Sequence, residues 1–300
     1  MTKIVVTCPM GLTEEQKARL EAVGEVTYFD THPTPEEWLK RIEGKEVVCS
    51  WFVGLRENIH TISNVFVSVP AVGVRSFADP KILKEHHVTL CNSPGCNRHA
   101  VAEWIVYMLI ESMRHIGKSI NTNNAVLFDP PTKGLAGKKI TILGHGDVGK
   151  QVGRVCEAFE MIVTYFERND NLAQKVKDAD IVVDVLSANP STKGLLNRDF
   201  FQSLKNGIVF ISVTVDQVVD MDAMIEALNS GKIACLAHDV MNAKPGDVTD
   251  NLYKKISSNN NALVTPHIAG FSDMTNTIGN DMMIANVEAW ASGKPINVIE

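Results

Sequence analysis

The residues whose types and spacing could do chemistry begin with Gly144-His145-Gly146-Asp147-Val148-Gly149, a G-x-G-x-x-G run. The apolar run Ile140 to Leu143 precedes it, and the helical spacing of Val148, Val152, Val155 and Phe159 follows. In that context the glycines answer three needs: a tight turn at Gly144, backbone access to a pyrophosphate at Gly146, and close packing of helix on strand at Gly149. The amides at the helix start face the negative charge. Glu167, 18 residues after Gly149, ends the next apolar run. A carboxylate there accepts bonds from an adenosine ribose and repels a 2′-phosphate, so the spacing points to NAD. Arg168 beside it keeps NADP open, since an arginine at this place accommodates a 2′-phosphate.

The elements that must position these residues repeat a strand-and-helix alternation. After a polar stretch at Asn121 to Asn124 and the breakers Pro130-Pro131, six strands are expected: Ile140 to Leu143, Ile162 to Phe166, Ile181 to Leu186, Ile208 to Val213, Ile233 to Leu236 and Ala262 to Thr265. Helical spacing fills the gaps, as at Met221, Met224, Ile225 and Leu228, and strands separated by helices imply a parallel, doubly wound sheet. The first hundred residues do the same on a smaller scale. Strands are expected at Ile4 to Thr7, Val26 to Phe29, Val47 to Phe52, Val65 to Val69 and Val88 to Cys91, with helices at Glu14 to Ala22 and Pro35 to Ile42. Between the two series Val101, Trp104, Ile105, Met108, Leu109 and Met113 recur at three and four, the pattern of a long buried helix with Asn97 as its cap.

Length and charge narrow the function classes. Three hundred residues suffice for two domains, and 29 basic against 35 acidic side chains give a net charge of −6, which offers no basic field for nucleic acid. The opening apolar run is too short for a signal-peptide core, and no stretch approaches the ~20 apolar residues of a spanning helix. A soluble, cytoplasmic protein is expected, with no membrane or nucleic-acid partner. Cys8, Cys49, Cys91, Cys96, Cys156 and Cys235 are scattered without metal spacing and read as reduced thiols, mostly in the core; no metal site is expected.

Three further runs carry a resemblance to a known family. Asn92-Ser93-Pro94-Gly95 followed by Ala100-Val101-Ala102-Glu103-Trp104, then the glycine loop, then Thr265-Pro266-His267-Ile268-Ala269-Gly270 resemble, in that order, the D-isomer-specific 2-hydroxyacid dehydrogenases. The resemblance implies a Rossmann cofactor domain at residues 99–270, inserted in a flavodoxin-like substrate domain made of residues 1–98 and 271–300. It places the active site in an interdomain cleft, makes the helix at Ile278 to Ala291 the return crossover, and implies a homodimer. Asp239 matches the aspartate that bonds the nicotinamide carboxamide, Thr192 the threonine of a loop near the cofactor, and Val213 and Thr214 the backbone at the nicotinamide end. His267 and Gly270 belong to the matched loop beside the cofactor. Val72 and Gly73, in Ala71-Val72-Gly73-Val74, resemble the amides that hold a substrate carboxylate, and Trp51 and Phe52 could wall an apolar substrate group. Asp147 and the pair His86-His87 read as solvated or capping residues.

The catalytic set implied by the resemblance is incomplete. Hydride moves between a nicotinamide and a 2-oxo carbon while a histidine, here His267, gives or takes the proton. The family's arginine falls on Val215 and its glutamate on Lys244. Loss of the guanidinium removes a bidentate clamp on the developing alkoxide and the carboxylate. A lysine near the histidine disfavours its charged form. Arg75, Lys244 itself and, more distantly, Arg98 are the cations that could compensate. The expected function is transfer of hydride between a nicotinamide and a small 2-hydroxy or 2-oxo acid or close analogue. The alternative is a dinucleotide-binding relative with lost or altered catalysis: a sensor or interaction protein, or a reductase of another electrophile such as an imine.

Overall fold

The computed structural model describes residues 1–117, 132–240 and 245–300. Lys244, the Asn121 to Asn124 stretch and the Pro130-Pro131 pair lie outside the described residues. The chain divides into two compact units, Met1–Asn97 with Phe271–Glu300, and Arg98–Gly270.

The first unit runs β1 (Thr2–Val6), α1 (Glu14–Val23), β2 (Gly24–Tyr28), α2 (Pro35–Ile42), β3 (Val47–Cys49), α3 (Leu55–Asn58), β4 (Val65–Ser68), α4 (Pro80–Glu85) and β5 (Val88–Cys91). All its strands are parallel, in the order β2-β1-β3-β4-β5. Successive residues of a strand face opposite sides, so Ile4, Val6, Val47, Cys49 and Phe66 enter one core and Val5, Val48, Val65 and Val67 the other. Burial on both faces is why these strands read as unbroken apolar runs. Thr13 and Thr34 start α1 and α2 with reciprocal capping boxes to Gln16 and Glu37.

Strand β3 stops at Cys49, three residues before the expected end at Phe52. Ser50 ends it: its hydroxyl donates to the Trp51 carbonyl at 2.7 Å and accepts from Trp38 Nε1 and Thr7 Oγ1, each at 2.8 Å. Gly54 then turns the chain at φ +78°, against Trp38, where a Cβ would lie 2.3 Å from the Trp38 Cβ. Trp51 and Phe52 therefore sit in a loop.

The second unit runs α5 (Arg98–Arg114), β6 (Lys139–Leu143), α6 (Asp147–Ala158), β7 (Ile162–Phe166), α7 (Leu172–Val176), β8 (Ile181–Asp184), α8 (Arg198–Ser203), β9 (Ile208–Ser212), α9 (Met221–Asn229), β10 (Ile233–Asp239), α10 (Asn251–Ser257) and β11 (Ala262–Thr265). Its six parallel strands lie in the order β11-β10-β9-β8-β6-β7. The chain steps from β6 outward to β7 and then back across to β8. Strand order therefore reverses at β6, and the carboxyl ends of β6 and β8 open the crevice in which such sheets take ligands. Strand β10 runs three residues past the expected Leu236, because buried His238 and Asp239 find polar partners there.

The last helix, α11 (Asp273–Ala291), belongs to the first unit and begins five residues before the expected Ile278, capped by Ser272. It seats Met283, Ile284 and Val287 in the core of β1, β3 and β4, and Trp290 stacks on Phe66 at 5.2 Å.

Candidate active site

The glycine loop has the geometry a pyrophosphate needs. Gly144 leaves β6 at φ +112°, and a Cβ there would meet the Val185 carbonyl oxygen at 3.2 Å. Gly149 packs tighter still: its Cβ would lie 2.0 Å from the Gly144 carbonyl oxygen, so only glycine lets α6 approach β6 this closely. Around Gly146, the cap of α6, nothing lies within 4 Å of a Cβ. That open cradle, with Asp147, Val148 and Gly149 in the first turn behind it, fits a dinucleotide phosphate. Thr192 sits in the loop after β8, its hydroxyl donating to the Ser187 carbonyl at 2.7 Å and accepting from the Asn189 amide at 3.0 Å.

At the end of β7 the Glu167 carboxylate bonds His145 Nδ1 at 2.7 Å, and the His145 ring stacks on Tyr165 with centroids 4.1 Å apart. This contact joins residues 22 apart, and nothing in the spacing of either signals it.

At the opposite edge, Asp239 ends β10 fully buried. Its Oδ1 accepts from Thr265 Oγ1 at 2.6 Å and from the Ile268 amide at 2.9 Å, and its Oδ2 from the Ala269 amide at 2.9 Å. These charge-assisted bonds grip the chain on both sides of His267, which adopts φ +56°. A non-glycine residue in the left-handed region costs on the order of 1–3 kcal/mol, and the surrounding bonds must over-determine it. Gly270 closes the unit just beyond. The Gly246 amide donates to the Pro266 carbonyl at 2.7 Å, which brings the segment after Pro245 alongside the loop. Asp247, the next residue, was missed from sequence because no motif marks it; its Oδ1 accepts from the Thr249 amide and hydroxyl.

Between these two ends, Val215 packs into the apolar core of Val218, Val219 and Leu196. Its neighbours form a buried polar lattice. Asp184 Oδ2 accepts from Ser212 Oγ at 2.9 Å, Ser212 Oγ accepts from the Thr214 amide at 3.2 Å, and the Val213 amide donates to the Asp184 carbonyl at 3.2 Å. Burial raises the Asp184 carboxyl to about 6, against the bonds from Leu186, Ser212 and Thr214. His238 Nδ1 meets the Ser212 carbonyl at 3.2 Å, and burial lowers this histidine to about 4. Sequence reasoning missed both groups, since each lies in an apolar strand run.

In the first unit, the loop after β4 is held by its carbonyl groups. Ser93 Oγ donates to the Val69 carbonyl at 2.9 Å, Cys96 Sγ to that of Pro70 at 3.7 Å, the Ser93 amide to that of Ala71 at 3.0 Å, and Asn92 Nδ2 to that of Val72 at 2.9 Å. Among the described residues the amides of Val72 and Gly73 have no hydrogen-bond partner, the arrangement an anion would complete. Arg75 follows in the helical turn Val74–Ser76, where its guanidinium donates to the Glu300 carbonyl at 2.7 Å. Trp51 and Phe52 meet edge to face at 6.2 Å, and Phe52 meets Phe77 in the same way at 5.4 Å. Arg98 opens α5, in the second unit.

A parallel sheet with a glycine loop at its switch point and an acid after the second strand defines a Rossmann-type dinucleotide-binding protein. Residues 106–269 match the family model described as the NAD binding domain of D-isomer specific 2-hydroxyacid dehydrogenases. The chain belongs to that family. It is 26% identical over 307 aligned positions to a hydroxypyruvate reductase of Blautia hydrogenotrophica, covering 93% of each chain. It is 26% identical to a glycerate dehydrogenase of Methylorubrum extorquens, over the full length of both. Among solved structures, an acyclic imino acid reductase in complex with NADPH and D-Arg matches with a TM-score of 0.83 at 22% identity over the whole of both chains. A glyoxylate reductase from Paecilomyes thermophila matches with a TM-score of 0.83 at 18% identity, covering 99% of this chain and 98% of that one. Among the described residues no helix is long and apolar enough to cross a membrane.

Proposed function

We propose that this chain moves hydride between a nicotinamide dinucleotide and a small 2-hydroxy or 2-oxo acid or close analogue, with His267 as acid and base. The observation that carries the reading is the grip of buried Asp239 on both sides of His267, three bonds that hold a left-handed histidine in one place. A bound nicotinamide supplies or takes the hydride. The chain does the rest: Gly146 and the first turn of α6 hold the pyrophosphate, Glu167 reads the ribose, and the Thr192 loop, Val213, Thr214 and Asp239 border the nicotinamide. The free amides of Val72 and Gly73 take the substrate carboxylate, with Trp51 and Phe52 as an apolar wall. His267 gives its proton to the carbonyl oxygen in reduction and recovers it in oxidation.

Asp247 is the carboxylate we assign to support His267, in place of the absent glutamate; the Gly246–Pro266 bond supports this by joining their two loop segments one residue earlier. Lys244 and Arg75 are the cations for the substrate's anion, and Arg75 must first release the Glu300 carbonyl. Residues 1–98 and 271–300 act as the substrate domain and 99–270 as the cofactor domain. The enzyme works as a cytoplasmic homodimer, and Tyr107, a large side chain 60% exposed on α5, supports an interface there.

One observation favours a second reading, an altered reaction on an electrophile without a carboxylate: Val215 fills a core where a carboxylate clamp would need a guanidinium. The test begins with fluorescence titrations of NADH and NADPH. Turnover follows with glyoxylate, pyruvate, hydroxypyruvate, bulkier 2-oxo acids and imines that carry no carboxylate, for wild type and His267→Ala. Turnover of a 2-oxo acid that drops about 10²–10⁴-fold in the variant, with NADH still bound, is the expected result. Turnover of imines alone would establish the second reading. Tight NADH binding without turnover of any substrate would overturn both in favour of a sensor.

A further inference from the structure

The side chain between the first two glycines of the phosphate loop is not a spectator. Strands β6 and β7 pair with Leu143 opposite Phe166, so the chain leaves β6 at Gly144-His145 beside the point where Glu167 leaves β7. His145 folds across that gap. Its ring lies on Tyr165 at 4.1 Å with 27° between planes, and Nδ1 meets Glu167 Oε1 at 2.7 Å. The platform under it is itself fixed: Tyr165 Oη lies 1.8 Å from where a Gly153 Cβ would be, so the tyrosine occupies space that only a glycine in α6 leaves. Glu167 is held from behind as well, its amide donating to Asp170 Oδ2 at 2.8 Å while Asp170 pairs with Lys175 at 3.1 Å.

We propose that His145 is the residue that sets the choice between NAD and NADP, by holding Glu167 toward the ribose. The inference rests on the reading above, that this loop binds a dinucleotide. The side chains are 38% and 62% exposed, so the pair is open to a ligand. With Nδ1–H donating to Oε1, Glu167 has Oε2 left to accept from a ribose hydroxyl, and its carboxylate repels a 2′-phosphate carrying roughly −1.5 to −2 charges. The other charged groups on the surrounding elements are Asp147, Lys150, Arg154 and Glu157 in α6, Arg168 and Asp170 after β7 and Lys175 in α7. Asp170 and Lys175 are committed to each other, which leaves Glu167 as the carboxylate the ring meets.

The test is the ratio of NADPH to NADH dissociation constants on the full chain at about pH 8, for wild type, His145→Ala, His145→Gln and Glu167→Gln. Wild type is expected to prefer NADH. His145→Ala is expected to lower the ratio about tenfold, the loss of a hydrogen bond to a charged group, and Glu167→Gln to lower it at least as far. His145→Gln, which keeps a donor, is expected to restore most of the preference. A ratio in His145→Ala equal to that of wild type would overturn the inference while leaving the cofactor site standing. Failure of wild type to bind either dinucleotide would overturn the cofactor reading, and this inference with it.

Discussion

The two ends of the carboxyl edge of the six-stranded sheet are built from different materials. At the β6 and β7 end the work falls to backbone: a left-handed Gly144, a Gly149 with no room for a methyl group, and an open Gly146. At the β9, β10 and β11 end it falls to buried side chains, Asp239 on the His267 loop and Asp184 on the Ser212 to Thr214 turn. A site made of backbone survives as long as three glycines do. A site made of side chains can be altered one residue at a time, and here an apolar Val215 already fills one position.

The largest effect that would break this comparison is expected from Asp239→Asn. One carboxylate oxygen becomes an NH₂ group facing a donor, which removes bonds of the charged class worth about 1.5–3 kcal/mol each and leaves a buried donor unmet. Denaturant unfolding should show that loss of stability. Turnover should fall by about 10²-fold or more as His267 shifts, with NADH affinity changed far less. Equal losses at both ends would show that the edge behaves as one unit.

Paired substitutions in the glycine loop sharpen the other side. Gly149→Ala forces a methyl group against the Gly144 carbonyl and should destabilise by about 1–3 kcal/mol, lowering NADH affinity as well. Gly146→Ala meets no atom within 4 Å in the protein alone, so its unfolding should stay within about 0.5 kcal/mol of wild type. Its cost should appear only in NADH binding, where the methyl group stands in the phosphate's way.

The smallest net effect is a pH dependence in which two buried groups oppose each other. The Asp184 carboxyl, raised to about 6, favours the folded state at acid pH, and that contribution is lost as pH rises from about 4 to 6. The His238 ring, lowered to about 4, favours it at higher pH, and that contribution is lost as pH falls from about 6.5 to 4. The two slopes cancel over most of that window. His238→Leu should remove one of them, so its stability relative to wild type should grow as pH falls from 6.5 to 4. A constant difference across that range would show that His238 does not titrate on unfolding.

What could be read from the sequence divides along the same line. The glycine loop and the apolar strands around Ile140, Ile181 and Ile208 were legible because glycine at a turn and unbroken β-branched runs have local causes. The end of β3 was not legible, because Trp51 and Phe52 continue the apolar run and the strand is cut by a Ser50 hydroxyl whose partners, Thr7 and Trp38, lie 43 and 12 residues away. The full length of β10 was hidden for a similar reason. His238 and Asp239 look like a strand terminus until the Ser212 carbonyl and the amides of Ile268 and Ala269 are brought to them by the fold. The pairing of His145 with Glu167 needs the register of two strands, which neither strand carries alone.

All six cysteines are buried and none is in a disulfide, and burial pushes the Cys49, Cys91 and Cys156 thiols up to about 12. Four of them, Cys8, Cys49, Cys91 and Cys96, lie in the first unit, and Cys156 and Cys235 in the second. Alkylating reagents must wait for a unit to open before they can react, since the thiolate is the attacking form and the folded chain shelters it. The rate at which each set acquires label is therefore a built-in clock, timing the opening of the two units separately in a single mass-spectrometric experiment without adding a probe.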